Sequence, residues 1–150
     1  MQQLEIKTAL QIGRPSSIVF EAIINPEKMK NYFISSGSGK MEEGKTVTWR
    51  FPEFEFDAPV NVGKMEKDRY ISFSWEGSEG KELIVEIFLE PQENNSTIVR
   101  IEEKGMENNQ EGIEWLIRNT EGWANFLACL KGYLEYGINL REGAFDFMRE

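Results

Sequence analysis

None of the chain's 150 residues is histidine, which limits the reactions that its side chains could catalyse. Histidine is the commonest general base and metal ligand, and it activates the nucleophile in Ser-His and Cys-His arrangements. Its absence excludes those arrangements and leaves carboxylates, tyrosines, lysines and one thiol as candidate catalytic groups. No pattern among the remaining residues predicts a metal site or a cofactor.

The one thiol, Cys129, is predicted to be structural. It projects near the boundary of the apolar face of a predicted helix, and no cationic side chain lies one turn away on a predicted face to stabilise a thiolate. A single cysteine also excludes a disulfide within the chain.

Two other polar residues, Glu103 and Thr8, fall in the inward rows of predicted strands. Each is a candidate ligand contact, or else a polar residue with no part in binding.

One glycine-rich segment has the composition of a phosphate-binding loop. Its sequence, Ser35-Ser36-Gly37-Ser38-Gly39, lacks both the Gly-Lys-Ser/Thr ending and the dinucleotide-binding pattern, and no helix start follows it. The segment is therefore predicted to be a turn that leads into a sheet.

Charge and hydropathy exclude several classes of partner. The formal net charge is −9 and the Lys and Arg residues form no cluster, so nucleic acid and anionic membranes are unsuitable partners. The longest apolar run, residues 126–130, is far shorter than the roughly 18 residues that span a bilayer. Residues 1–5 lack the basic and apolar parts of a signal peptide. We therefore expect a soluble cytoplasmic protein without membrane insertion.

The elements that position these residues begin with a strand over residues 3–13, where apolar and polar side chains alternate. Pro15 suits the first turn of a short helix, which Asn25-Pro26 ends. A second short helix is predicted over residues 27–33. Two short helices therefore follow the first strand.

Five later segments repeat the alternation and are separated by turn residues. With the first strand they predict an antiparallel meander of six strands, followed by one terminal helix, which is typical of an α+β fold. Since no linker or internal repeat interrupts the sequence, we expect a single domain over residues 1–150. The five segments are 47–51, 56–62, 71–75, 83–89 and 97–102.

The terminal helix, predicted from Asn108 to Arg141, is the longest element. Its apolar residues recur at three- and four-residue spacing over an arc of roughly 200°, about twice the width usual for a surface helix. We therefore expect a curved sheet to embrace it. Four polar residues on the opposite arc should face water, and the first two are spaced for a favourable ion pair. These residues are Glu114, Arg118, Glu121 and Asn125.

Two glycines, Gly122 and Gly132, lie inside this helix. Each costs up to about 1 kcal/mol relative to alanine, so its presence calls for a reason. Either a neighbour approaches closely, or the position is exposed and tolerates glycine.

A cavity is expected between the sheet and the helix. A single cylinder about 10–12 Å wide cannot touch every row of a strongly curved sheet, so space remains near one end of the helix. Tyr32 and Phe33 are predicted to cover its mouth. Aromatic-lined clefts commonly bind small molecules, although the same rings could simply fill the core. The predicted lining is Trp49, Phe51, Phe73, Trp75, Trp123, Phe126 and Leu127.

The terminal helix carries Asn-Thr-Glu-Gly-Trp at 119–123 and Leu-Lys-Gly-Tyr-Leu-Glu at 130–135, followed by Gly137. Together with the opening segment 15–27 and the strand 71–75, this pattern resembles proteins similar to the activator of heat-shock protein 90 ATPase. That family belongs to the START-like, birch-pollen-allergen-like (SRPBCC) superfamily. The resemblance implies a helix-grip fold, in which a curved six- to seven-stranded antiparallel sheet wraps around the C-terminal helix and encloses a cavity.

Three functional hypotheses follow, since members of this superfamily bind lipids, sterols or plant hormones, act as cyclases, or serve as chaperone partners in stress responses. The first is binding of a small hydrophobic or aromatic molecule in the cavity. The second is a protein-interaction or chaperone-cofactor module that uses the acidic outer surface. The third, a cyclase-like enzyme with cavity carboxylates or tyrosine, ranks last because the chain lacks histidine. A binding role is thus favoured over catalysis.

Overall fold

The computed structural model describes residues 3–77 and 80–149. It contains one seven-stranded antiparallel sheet with the strand order β1-β7-β6-β5-β4-β3-β2, and a long helix, α3, lies across it. This is the predicted helix-grip architecture. The elements are β1 (Gln3–Ile12), α1 (Ser16–Ile24), α2 (Pro26–Met29), β2 (Ser36–Gly37), β3 (Thr46–Arg50), β4 (Asp57–Glu66), β5 (Tyr70–Glu76), β6 (Glu82–Pro91), β7 (Thr97–Glu107) and α3 (Gln110–Tyr136).

The sheet follows the alternation in the sequence. Strands β2 to β7 succeed one another as a meander, and β1 then pairs with β7, with Ile6 opposite Glu103. The seventh strand comes from the glycine-rich segment, where Ser36 and Gly37 pair with Arg50 and Trp49. The predicted turn therefore does lead into the sheet, and two of its residues also form the edge strand.

The predicted limits of α3 and of α2 need correction. Helix α3 starts at Gln110, two residues after the predicted start, because the side chain of Asn109 caps it by accepting a hydrogen bond from Gly112 N at 2.8 Å. It ends at Tyr136 because Gly137 adopts the left-handed conformation, with φ of 66°. Helix α2 is a single turn, since the N–H groups of residues 32–34 all bond to the carbonyl of Met29.

The predicted apolar arc of α3 was too wide. Ile113 and Ile117 are exposed, the latter by 66%, whereas Trp115 is buried. Successive residues are rotated by roughly 100° around the helix axis, so the buried side chains occupy an arc of about 160°, with Cys129 at one edge and Leu127 at the other. The sheet therefore covers less of the helix than the sequence indicates, because the row at Ile113 and Ile117 lies beyond its reach.

The two internal glycines of α3 have different explanations. A Cβ atom on Gly132 would lie 2.7 Å from Cδ1 of Leu140, so the chain after the helix packs closely against this position. A Cβ atom on Gly122 would meet nothing within 4 Å. Gly132 is therefore required by a close contact, and Gly122 faces open space. None of the helices in the described residues combines the length and apolar character needed to cross a membrane.

Candidate ligand pocket

Eight aromatic rings in contact with one another connect α3 with the sheet, and a ninth ring, that of Tyr133, stacks on Tyr32 beside them. The rings come from the turn after α2, from β3 and the residue after it, from β5 and from the middle of α3. Centroids of neighbouring rings lie 4.7 to 6.5 Å apart, mostly in edge-to-face geometry, which is the arrangement that the charge distribution of aromatic rings favours. The rings are Tyr32, Phe33, Trp49, Phe51, Phe73, Trp75, Trp123 and Phe126.

A pocket of about 340 Å³ lies on one side of this cluster. Its interior is mainly aromatic, and its rim includes exposed residues such as Phe54, Gly122 and Met148, so it is open to solvent. The residues that line it are Tyr32, Phe33, Phe51, Glu53, Phe54, Trp75, Arg118, Asn119, Gly122, Trp123, Asn125, Phe126, Cys129, Arg141, Phe145 and Met148.

Six of the nine predicted site residues line this pocket: Tyr32, Phe33, Phe51, Trp75, Trp123 and Phe126. The other three, Trp49, Phe73 and Leu127, do not line it, because they are almost fully buried in the packed core behind it. Tyr32 is also 0% exposed, and its hydroxyl donates to the carbonyl of Ala22 at 2.8 Å. It therefore belongs to the floor of the pocket and does not cover its mouth as predicted, whereas Phe33 is half-buried and lines the pocket.

The segment after α3 forms much of that cover. Arg141 makes a two-fold ion pair with Glu53, with Nη1 to Oε2 at 2.8 Å and Nη2 to Oε1 at 2.6 Å. Their side chains are only 14% and 4% exposed, and the guanidinium also lies 4.5 Å from the centroid of the Phe145 ring. Because paired Arg–carboxylate bonds are strong and geometrically specific, this contact fixes the C-terminal segment over the pocket.

Glu103 holds two pocket walls in place from behind. It is 0% exposed and accepts hydrogen bonds from Nε1 of Trp75 at 2.8 Å, Nε1 of Trp123 at 2.9 Å and Nδ2 of Asn119 at 3.3 Å. Burial raises the pKa of this carboxyl, while the three donors act in the opposite direction. Glu103 does not line the pocket and contacts its wall through the two indoles and the amide that donate to it.

The other polar residues singled out in the sequence are Cys129 and Thr8. Burial raises the pKa of the Cys129 thiol, and the positive charge of Arg141 only partly opposes this, which supports the prediction of a structural thiol. Thr8 lies on β1 opposite Ile101 of β7, and it does not line the pocket. No group of three or more acidic or thiol side chains within residues 3–77 and 80–149 is arranged to hold a metal ion.

Sequence reasoning missed the polar edge of the pocket. Arg118 is exposed, as predicted, and Asn125 is half-buried, but both also line the pocket together with Gly122 and Cys129. These four positions follow one another at intervals of four, three and four residues, so they form one edge of α3. That spacing was visible in the sequence, but nothing in it showed that the C-terminal segment would build a wall opposite this edge.

A long helix held across a curved antiparallel sheet, with a ring-lined pocket between them, defines the helix-grip class of domain. Residues 14–135 match the family model described as "Activator of Hsp90 ATPase homolog 1-like protein". The chain belongs to this family. The predicted family and fold are thereby confirmed.

Solved structures agree with this assignment. Protein SSP2350 from Staphylococcus saprophyticus is 34% identical, with 92% of this chain and 96% of that one covered and a TM-score of 0.80. The Aha1 dimer from Colwellia psychrerythraea is 24% identical over 89% and 98% of the two chains, with a TM-score of 0.73. DynU16, from the dynemicin biosynthetic locus, is 20% identical over 90% and 48%, with a TM-score of 0.79. No functionally curated protein matches the chain.

Proposed function

We propose that this protein binds a small hydrophobic or aromatic molecule in the pocket between the sheet and α3. The observation that carries the proposal is the 340 Å³ volume, which has an aromatic interior and an opening to solvent. Small-molecule sites have volumes of roughly 300–1,000 Å³ and combine an apolar lining with a few polar groups. Flat, ring-containing molecules suit the edges and faces that Trp75, Trp123 and Phe126 present.

The walls of the pocket are held in place by contacts within the protein. Glu103 fixes the two indoles, and the ion pair between Arg141 and Glu53 fixes the segment that covers them. Binding to such a site requires little reordering of side chains, which is a large part of the cost of forming a complex. The arrangement is therefore suited to holding a ligand.

Gentle purification followed by native mass spectrometry tests this proposal. We expect a bound molecule of low mass that unfolding releases, and we expect Gly122→Leu to lose it because the new side chain enters the pocket. Ala124→Leu is the matched control, since Ala124 is exposed on the same helix but does not line the pocket. Equal retention of the molecule by both variants, or its absence from the unmodified protein together with failure to bind small aromatic probes, would contradict the proposal.

A second candidate function is that of a chaperone cofactor. It is supported by the description of the matching family, and by the exposed carboxylates of Glu114 and Glu121 on the solvent-facing side of α3. In this case we expect the protein to stimulate the ATPase activity of a cognate chaperone, and charge reversal at both glutamates to reduce the stimulation. Stimulation that is unaffected by charge reversal would place the contact elsewhere, and no stimulation would reject the role.

A further inference from the structure

We propose that the ligand of this pocket is a carboxylate with a flat apolar body, whose charged group binds to Arg118 at the rim. This inference rests on the proposed binding function and adds the chemical class of the ligand. It follows from the charges around the pocket, from the shape of the edge that α3 presents, and from the apolar interior.

The two cations that line the pocket differ in their partners. Arg141 is neutralised by Glu53. Arg118 has no hydrogen bond or ion pair from its side chain to any residue in the described ranges 3–77 and 80–149. Its predicted partner Glu114 instead accepts a hydrogen bond from Nε2 of Gln110 at 3.2 Å.

Arg69 likewise has no side-chain partner among the described residues, but it does not line the pocket, so Arg118 differs from it in placing an unpaired guanidinium beside the rings. The carboxylate that lines the pocket and the one behind its indoles already have partners: Glu53 binds Arg141, and Glu103 accepts from two indoles and an amide. An incoming anion would therefore meet one uncompensated positive charge and no uncompensated negative charge from these groups. The positive charge of Arg118 remains available to a ligand.

The polar edge of α3 also has the donors and the space that a carboxylate needs. Asn125 lies two turns after Arg118 on this edge and has no side-chain hydrogen bond within the described part of the chain. Gly122 lies between them and leaves open space where any other residue would place a Cβ atom. A ligand could thus extend from the rings of Trp123 and Phe126 across Gly122 to the guanidinium, which binds a carboxylate through two parallel hydrogen bonds.

A pair of matched probes tests the inference. Naphthaleneacetate carries a ring system and a carboxylate, and naphthaleneacetamide is its neutral counterpart of nearly the same shape. Titrations followed by tryptophan fluorescence and calorimetry should show tighter binding of the acid. Arg118→Met should weaken the acid about tenfold, an amount typical of one charged hydrogen-bonded contact at a partly exposed site, and leave the amide within about twofold.

Arg69→Met is the control, because it removes the same charge from the turn between β4 and β5, away from the pocket. It should leave both affinities unchanged, and added salt should weaken only the acid. Equal affinities of acid and amide, or equal losses of both in Arg118→Met, would overturn the anion proposal and leave the pocket as a binding site. Binding of neither probe at millimolar concentration would reject both proposals.

Discussion

The two sides of α3 make contrasting contacts. On the side facing β1, Leu127 and Leu130 are buried, Nζ of Lys131 donates to the carbonyl of Gln11 at 2.8 Å, and the N–H of Gly13 donates to Glu135 at 2.8 Å. On the other side, the helix faces aromatic rings and the C-terminal segment across a pocket.

The difference comes from the side chains available to fill each space. Aliphatic residues of β1, such as Ile6 and Ile12, are buried against the helix and leave little volume unfilled. Large flat rings meet edge to face and are joined to the backbone at fixed angles, so they fill a concave surface less completely than aliphatic side chains do. One side of the helix therefore supplies stability, and the other borders the pocket that we propose as a binding site.

Truncation of the β1 side should have the largest effect. Leu130→Ala removes a fully buried side chain, so we expect the free energy of unfolding to fall by about 2–5 kcal/mol. Cys129→Ala, one residue earlier but on the pocket side, should cost less than half as much. Urea denaturation of both variants measures the difference, and equal losses would show that the two sides are equally well packed.

Removing the ion pair that holds the C-terminal segment should have the next largest effect. Arg141→Ala leaves the Glu53 carboxylate buried without its partner, which should cost about 1–3 kcal/mol. The pocket should also become more open, so limited proteolysis should cut the chain after α3 more quickly. Glu53→Gln combined with Arg141→Gln is the control, because it leaves no buried charge. A double variant no more stable than Arg141→Ala would contradict this explanation.

Glu103→Gln tests how the pocket walls are held. One indole N–H would face an amide N–H₂ and lose its acceptor, so we expect a loss of about 1–3 kcal/mol and weaker binding of ring-containing ligands. Glu103→Asp, which keeps the charge but shortens the side chain, shows whether the length of the contact matters. Retention of both stability and ring binding in Glu103→Gln would mean that the carboxylate does not orient the indoles.

The same carboxyl predicts a dependence on pH. Its pKa is raised in the folded protein, so between the unfolded and folded pKa values the folded state binds more protons than the unfolded state. The stability that Glu103 contributes is therefore greatest below its unfolded pKa and falls as the pH rises through the folded value. The difference in unfolding free energy between the unmodified protein and Glu103→Gln should shrink over this range, and a constant difference would contradict the raised pKa.

The smallest expected effect has opposite signs for stability and binding. Gly122→Ala should raise the unfolding free energy by up to about 1 kcal/mol, because alanine favours the helix and its methyl group meets no neighbour. The same methyl group narrows the pocket, so ligand affinity should fall. Gly132→Ala is the comparison, since the clash with Leu140 should destabilise it. A rise in both stability and affinity for Gly122→Ala would show that the ligand does not use this edge.

Much of the fold could be predicted because it depends on local pattern. The alternation in β1 and in β3 to β7 requires a surface with one buried face, and the spacing of Trp123, Phe126, Leu127 and Leu130 requires a helix. The helix boundaries were less certain, since Asn108 and Asn109 are both of a residue type that favours the N-cap and only the backbone selects one.

The site was harder to predict, because a pocket is the space left unfilled where distant parts of the chain pack together. Six of the nine predicted residues line it, but Trp49 and Phe73 have the same residue types and the same inward direction as the lining rings and still belong to the core. The sequence by itself determined the family, the order of the elements and the wealth of rings on the inward face. Only the tertiary structure brought Glu53 and Arg141 together across 88 positions, made one edge of α3 a pocket wall, and left the side chain of Arg118 without a partner among residues 3–77 and 80–149, since such contacts depend on packing that local sequence does not encode.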